Sequence, residues 1–203
     1  ASTAVQEQFL KKIDFQAGQR LIGMAARLAS EKGVEYLAQA LPKVLQRFPK
    51  ARVIFVGTYQ NVMGEEAYAA RLAPLIATLG EHWTFLGNLS SEELTAFFHS
   101  CEVTVLPSIN KTEAYGIVQV ESMNCGTPVI ATDLPGIRVP IQQTGMGCLV
   151  PARDSASLAQ AILQVLENPA QFQGNPQELL QQSSATAVAQ VYEKIYASIG
   201  KTA

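Results

Sequence analysis

Charge is the scarcest ingredient of this chain: 15 Lys+Arg and 17 Asp+Glu make up 16% of its 203 residues, against about 25% in an average soluble domain. The hydrophobic fraction, 48%, is ordinary. Intrinsic disorder, which goes with low hydrophobicity and high net charge, is therefore excluded. What remains is either a sheet buried on both faces or a surface that expects a partner. A net charge of -2 supplies no electrostatic footprint for nucleic acid. His82 and His99 are too few for a His-based metal cluster, and neither is assigned a role. Cys101, Cys125 and Cys148 are odd in number and form no Cys-x-x-Cys, which points to buried free thiols in a reducing compartment. Long hydrophobic runs are missing too: stretches such as 103–106 are far too short to span a bilayer. No signal-peptide pattern opens the chain, and Ala1 in place of Met suggests a processed or excised piece.

Several phosphate and acyl-transfer motifs are also absent. No Gly-x-Gly-x-x-Gly follows the first expected strand, no Gly-x-x-x-x-Gly-Lys-Ser/Thr occurs, and there is no Gly-x-Ser-x-Gly. Nicotinamide-type Rossmann enzymes, Walker-type nucleotide sites and hydrolase elbows are correspondingly disfavoured.

What is present is alternation. Short β-branched runs at 20–25, 52–57, 83–86, 103–107, 128–132 and 147–150 read as strands. Between them, apolar residues at a period near 3.6 predict helices over 34–47, 65–79, 91–100, 116–124 and 136–142. Two more follow, over 155–166 and 185–199. Ser90 or Ser91, with Glu92 and Glu93 in the first turn, and Asp154 or Ser155 are candidate helix caps. Strand–helix alternation predicts an α/β domain of Rossmann-like, three-layer form, with about six parallel strands, helices on both faces and extra C-terminal helices. Residues 1–18 look like a linker, an N-terminal extension or a stray helix; 19–203 form the domain, including the C-terminal helices of 155–203. The Gln-, Asn- and Pro-rich stretch 167–183 looks like a connection.

Ligands of open parallel sheets bind beyond the carboxyl ends of the strands, so the loops after each strand are the places to search. The stretch Glu113-Ala-Tyr115-Gly116-Ile117-Val118-Gln-Val-Glu121, leading into Cys125-Gly126-Thr127-Pro128-Val-Ile-Ala, lies between two expected strands. A helix starting at Gly116 leaves its first amides without intrahelical partners, a ready site for phosphate. Glu113 and Glu121 are spaced by about 12 Å if helical. That is too far for a glycosidase pair, which needs roughly 5–9.5 Å, but each carboxylate can accept from vicinal hydroxyls of a sugar.

This stretch resembles the donor-binding signature of the family-4 retaining glycosyltransferases of the GT-B fold: two Glu separated by seven residues around an aromatic-Gly pair, followed by Cys-Gly-Thr-Pro-Val-Ile-Ala. Ala26-Arg27-Leu28-Ala-Ser-Glu31-Lys32-Gly33 is similar to the family's Gly-Arg-Leu-x-x-x-Lys-Gly loop, and 53–57 and Phe85-Leu86-Gly87 match in position. The likeness runs from about residue 19 to the end. Ala26, Ala114 and Tyr115 depart from frequent family residues, and Leu134-Pro-Gly136-Ile-Arg138 lacks the usual Pro-Glu-Val-Ile ending.

The resemblance implies a nucleotide-sugar donor domain. It assigns Arg27 and Lys32 to the donor diphosphate, Glu113 to the transferred sugar and Glu121 to the ribose hydroxyls. Tyr115, Gly116, Ile117 and Val118 would offer backbone groups, with side chains free to join the core. Leu89 would meet the base through its backbone, and Gly57 would leave room for the nucleotide. Ser108 is expected to cap a turn rather than reach ligand, Asn110 and Lys111 to touch sugar or water, and Trp83 to pack rather than stack on a base. Arg27, Lys32 and Glu113 are the candidate catalytic residues.

The implied donor is a UDP-, GDP- or ADP-sugar, with no metal and no further cofactor. The acceptor, a sugar or lipid, would bind an N-terminal domain for which the residues before 19 leave no room, so the chain alone would transfer little. The 185–199 helix would normally pack towards that domain; here it folds onto its own domain, dangles or meets another copy in a homo-oligomer. The implied location is cytoplasmic, with peripheral attachment at the inner membrane face as an open alternative. Two other readings stand beside this one: a non-catalytic nucleotide-sugar-binding or regulatory module, and a GT-B sugar epimerase.

Overall fold

The computed structural model describes residues 3–110, 113–174, 181 and 184–199. In chain order the elements are α1 (Thr3–Lys12), β1 (Arg20–Ala25), α2 (Val34–Arg47), β2 (Ala51–Val56), α3 (Glu66–Ala77), β3 (Trp83–Gly87), α4 (Ser91–Ser100), β4 (Val103–Leu106), α5 (Ile117–Asn124), β5 (Val129–Thr132), α6 (Arg138–Thr144), β6 (Gly147–Val150), α7 (Ser155–Glu167) and α8 (Ala185–Ile199). The six strands form one sheet in the order β3-β2-β1-β4-β5-β6, and every pairing is parallel. Expected and observed boundaries coincide at more than half of the ends and differ by one or two residues at the rest, the usual scatter where helices fray and strands run into turns.

Alternate strand residues feed opposite layers, as the period of two in a strand requires. Ile22 and Met24 of β1 join Val53, Phe55, Val103 and Val105 beneath α2, α3 and α7. Leu21, Ile54 and Val56 point the other way, to α1 and α4, while Leu106, Val129 and Ala131 pack against α5 and α6. Helix α2 carries its buried Val34, Leu37, Ala38, Leu41 and Val44 at helical spacing, so one stripe lies on the sheet and against α7. Each of the buried Val and Leu side chains contributes about 1.5–3 kcal/mol. The charge poverty of the chain follows: three layers with both sheet faces covered leave little surface for charged residues.

Local signals set the helix starts. Ser90 Oγ accepts from the Glu93 amide (3.3 Å), and the Glu93 carboxylate accepts from the Ser90 amide (2.9 Å), a capping box. Asp154 accepts from the amides of Ala156 and Ser157 at α7. Trp83 is buried and lies flat against Phe55, 6.4 Å between ring centres, so it packs in the core as expected.

Before β1 the chain is a helix rather than a linker. Phe9 and Ile13, four residues apart, are both buried, and Phe9 meets Phe97 of α4 edge-on at 6.1 Å. Lys12 bonds Glu93 at 2.7 Å. Two anchors are too few to register as a periodicity, so the packing partner, not the pattern, decides this helix. In the 167–183 connection, Pro169–Phe172 form a 3-10 turn with Phe172 buried; most of 175–183 lies outside the described residues. Helix α8 has no buried residue among those described, and Val188, Val191, Tyr192, Ile195, Tyr196 and Ile199 are exposed. It therefore does not fold onto its own domain.

Candidate functional site at the switch point of the sheet

Strand order reverses between β1 and β4. The chain leaves β1 towards β2 on one side and leaves β4 towards β5 on the other, which opens a crevice between the loops at the carboxyl ends of these two strands. Those loops, 26–33 and 107–116, carry the two sequence motifs.

They are joined at three points. Ile109 N donates to Glu31 O at 3.0 Å. Gly33, at φ 65° and ψ 33°, backs onto Pro107 so closely that a Cβ would overlap the Pro107 carbonyl oxygen and sit 3.0 Å from Ile109 Cγ2. The third join spans the crevice: Lys32 Nζ donates to Glu113 Oε2, with side chains 20% and 17% exposed. Both ends of this ion pair are mostly out of water, which strengthens their attraction relative to a surface pair. Arg27 extends from the same loop, 60% exposed, and is held by Glu31 at 2.8 Å. Both cations thus stand at the crevice with a carboxylate beside each.

Gly116 caps α5 at φ 71° in the left-handed region, so the helix proper begins at Ile117 rather than at Gly116. The amides of Ile117 and Val118 have no carbonyl one turn back within the helix and mark its positive end. Tyr115 and Ile117 are exposed, 40% and 70%. This corrects the expectation that their side chains join the core; Val118 alone of the three is half-buried, against the α1–α4 layer. A loop residue and a first-turn residue face outward because the core stripe of α5 is carried by Gln119, Val120, Ser122 and Met123.

Glu121 is on α5, exposed overall, yet partial desolvation pushes its carboxyl above the ordinary range. Gly57 ends β2, its amide donating to Gly87 O at 2.8 Å. Thr58 Oγ1 meets Asn88 Oδ1 at 3.2 Å, which ties the loops after β2 and β3. The Leu89 side chain packs into the α1–α4 layer, leaving its backbone as the part that can face a ligand. Ser108 does not cap a turn: its Oγ is fully buried with no hydrogen-bond partner among the described residues. Lys111 lies outside the described residues.

Two contributors escape a reading by motif. Glu65 accepts from Ser30 N at 2.9 Å and Ser30 Oγ at 3.3 Å, and so braces the Lys32 loop from the start of α3. Gln119 donates to the backbone just before α5, at Tyr115 O, and just before α6, at Ile137 O. Neither has a sequence signal, because each acts across a fold-made junction. Among the described residues no three His, Cys, Asp or Glu side chains converge as a metal-ligand set.

The arrangement offers two cations, helix-start amides and the Glu113 carboxylate around one crevice, with Glu121 one turn along α5, a set that suits an anionic ligand carrying hydroxyls. The family model described as Glycosyl transferases group 1 matches residues 5–193. The phosphatidyl-myo-inositol mannosyltransferase of Mycobacterium leprae (strain TN) is 38% identical over 137 residues, 68% of this chain and 34% of that protein. The glycogen synthase of Mycobacterium tuberculosis is 34% identical over 178 residues, 82% of this chain and 40% of its own length. HepE from Anabaena, solved in complex with UDP and glucose, superposes with a TM-score of 0.82 at 25% identity, covering 97% of this chain and 53% of that one. The chain thus spans about a third to a half of the proteins it matches. On its matched length, its strand order and the two loops that meet at the switch point, this chain belongs to the group 1 glycosyltransferases, whose GT-B fold it carries as a partial region.

Proposed function

We propose that this chain is the donor-binding half of a retaining, hexosyl-type glycosyltransferase, holding a nucleoside-diphosphate sugar in the crevice between the β1 and β4 loops. The observation that carries the reading is the meeting of Lys32 and Glu113 across that crevice, beside the α5 start. Lys32 and Arg27 take the diphosphate. As the sugar–phosphate bond breaks, charge accumulates on the departing diphosphate, and cations fixed in place stabilise it most at that moment. Arg27 can fork two oxygens, whereas Lys32 acts as a point charge. Glu113, released from Lys32 as phosphate arrives, accepts from hydroxyls of the sugar; Glu121 accepts from the ribose; the Leu89 backbone meets the base, and Gly57 leaves the nucleotide room. Tyr115, Gly116, Ile117 and Val118 contribute backbone.

No residue of this half is assigned as a nucleophile, and no metal is required by the reading. The acceptor, a sugar or lipid, binds the remainder of a longer protein, and α8 with its exposed apolar stripe faces that remainder. Alone, the chain binds donor weakly and transfers little. Three free cysteines fit a cytoplasmic setting, and no helix among the described residues is long and apolar enough to cross a membrane. The ligands of HepE support a uridine donor without excluding guanosine or adenosine.

Titration calorimetry of the chain with UDP, GDP and ADP tests this. One of them binds, and Lys32→Ala weakens it about tenfold or more, equivalent to about 1.4 kcal/mol. Arg27→Ala, a more exposed cation, weakens it less. Heat from none of the three nucleotides sinks the donor site; unchanged affinity in Lys32→Ala removes Lys32 from it.

A further inference from the structure

Gln119 is a polar residue in an apolar layer: 1% exposed, on the sheet side of α5. Its Nε2 donates to two backbone carbonyls, Tyr115 O at 2.6 Å and Ile137 O at 2.9 Å. The first belongs to the loop after β4, immediately before the Gly116 cap; the second belongs to the segment between β5 and α6. The same two loops touch again at Gly136, where a Cβ would collide with the Ala114 carbonyl oxygen. The carboxamide oxygen Oε1 is buried without a partner. An orphan acceptor of this kind opposes folding, and an apolar side chain of equal length would fill the space without it. What the carboxamide alone supplies is the pair of donor bonds. The opposite amide orientation would aim Oε1 at two carbonyl oxygens, so the donor assignment is the only one compatible with its surroundings.

We propose that Gln119 is a positioning residue for the sugar end of the donor: its buried carboxamide clamps the 113–117 turn to the 134–137 segment and so fixes where Glu113 points. The inference rests on the donor reading above. Lys32 and Arg27 come from the other loop, which Glu65 braces from α3 and which meets the β4 loop at Ile109, upstream of the clamped turn. Loss of the clamp therefore strikes sugar recognition more than diphosphate binding.

The experiment compares a nucleoside diphosphate with its sugar nucleotide on the whole chain, using UDP with UDP-glucose, GDP with GDP-mannose and ADP with ADP-glucose. Gln119→Met keeps length and burial and removes both donors. It lowers sugar-nucleotide affinity about five- to tenfold while changing diphosphate affinity less than about twofold, and it adds no further loss in a Glu113→Ala background, as expected of two residues acting as one unit. Gln119→Glu, whose buried carboxyl stays protonated against two carbonyl oxygens and restores one donor, falls between Met and wild type. It carries the same comparison if the Met variant does not fold. Equal losses on both ligands, or additivity with Glu113→Ala, overturn the proposal. If wild type binds none of the six, the donor reading fails and the clamp is judged by hydrogen exchange. Faster exchange at the amides of Ile117 and Val118 in Gln119→Met, with β1 unchanged, supports it, and unchanged exchange at 117–118 overturns it.

Discussion

Replacing Gly33 by alanine is the most direct probe of the join between the two site loops. Gly33 has φ 65°, and Gly80, in the surface turn before β3, has φ 52°. An alanine at either place adopts the left-handed region, at a cost of about 1–2 kcal/mol for an L-residue. The two differ in what the new methyl meets. At Gly80 nothing lies within 4 Å, whereas at Gly33 the Pro107 carbonyl oxygen is overlapped and Ile109 Cγ2 lies at 3.0 Å. A carbonyl oxygen cannot swing aside as a side-chain end can, so the loops must part. Parting them strains the Ile109 N–Glu31 O bond, worth about 0.5–1.5 kcal/mol, and draws Lys32 away from Glu113. The Lys32–Glu113 pair is about four-fifths buried on each side, so its loss adds about 1 kcal/mol after allowance for residual solvent. Gly80→Ala is thus expected to cost about 1 kcal/mol and Gly33→Ala about 3–4 kcal/mol. At about 2–4 °C per kcal/mol for a chain of this size, melting falls by a few degrees in the first and by roughly 10 °C in the second. Urea unfolding followed by circular dichroism measures both, and nucleotide titration of the folded Gly33→Ala protein reads the site. Equal destabilisation of the two variants, within about 0.5 kcal/mol, would falsify the claim that the loops are locked at Gly33.

Two pH-dependent expectations follow from named carboxylates. Desolvation raises the Glu121 pKa in the folded chain, so the folded state holds this proton more tightly than the unfolded one, and the ionised carboxylate opposes folding at neutral pH. Glu121→Gln is therefore more stable than wild type at pH 7, and the gain disappears as pH falls below the ordinary carboxylate value of about 4.3; urea midpoints across pH measure it, and a gain that persists in acid contradicts the assignment. Because Glu121 is also proposed to hold the ribose, the same variant is expected to bind nucleotide more weakly despite its stability. Glu93 is the opposite case: its pKa is lowered to about 2, first by the hydrogen bond from Lys12 and then by those of the capping box. The stability it contributes is present above its unfolded value and is lost as pH falls through the folded one. Lys12→Met shifts the Glu93 titration upwards in carboxyl NMR and loosens α1 from α4, seen as faster amide exchange over 3–12; an unmoved titration would show that Lys12 is not the principal cause.

How far the sequence could be read depended on the range of each signal. Strand and helix identity came through from 20 to 167 because alternation and helical spacing are local, and the caps at Ser90 and Asp154 stand in the residues themselves. The motif residues Arg27, Lys32, Glu113 and Gly116 were visible for the same reason, since their loops follow recognisable strands. The outward Tyr115 and Ile117 side chains are not legible in the sequence, because which face of a short helix turns to the core depends on how it rests on β4 and β5. The burial of Ser108 is not legible either: its hydroxyl is enclosed by packing that only the folded chain creates. For 1–18 the sequence leaves linker, extension and stray helix open, because the two anchors that decide for α1 depend on Phe97, 88 positions after Phe9 along the chain.

By itself, then, the sequence determined an alternating α/β chain with a parallel sheet, and a charge-poor surface to match its covered faces. It also marked the two loops, 26–33 and 107–116, whose residues are proposed to hold phosphate and sugar. Tertiary structure decided that Lys32 and Glu113, 81 residues apart, meet across one crevice, that Glu65 and Gln119 brace the loops carrying them, and that α8 leaves an apolar stripe in the open. The physical reason is that strand order in a parallel sheet is set by crossovers whose destinations no local period encodes. The reversal between β1 and β4, and with it the crevice, exists only once the sheet is assembled.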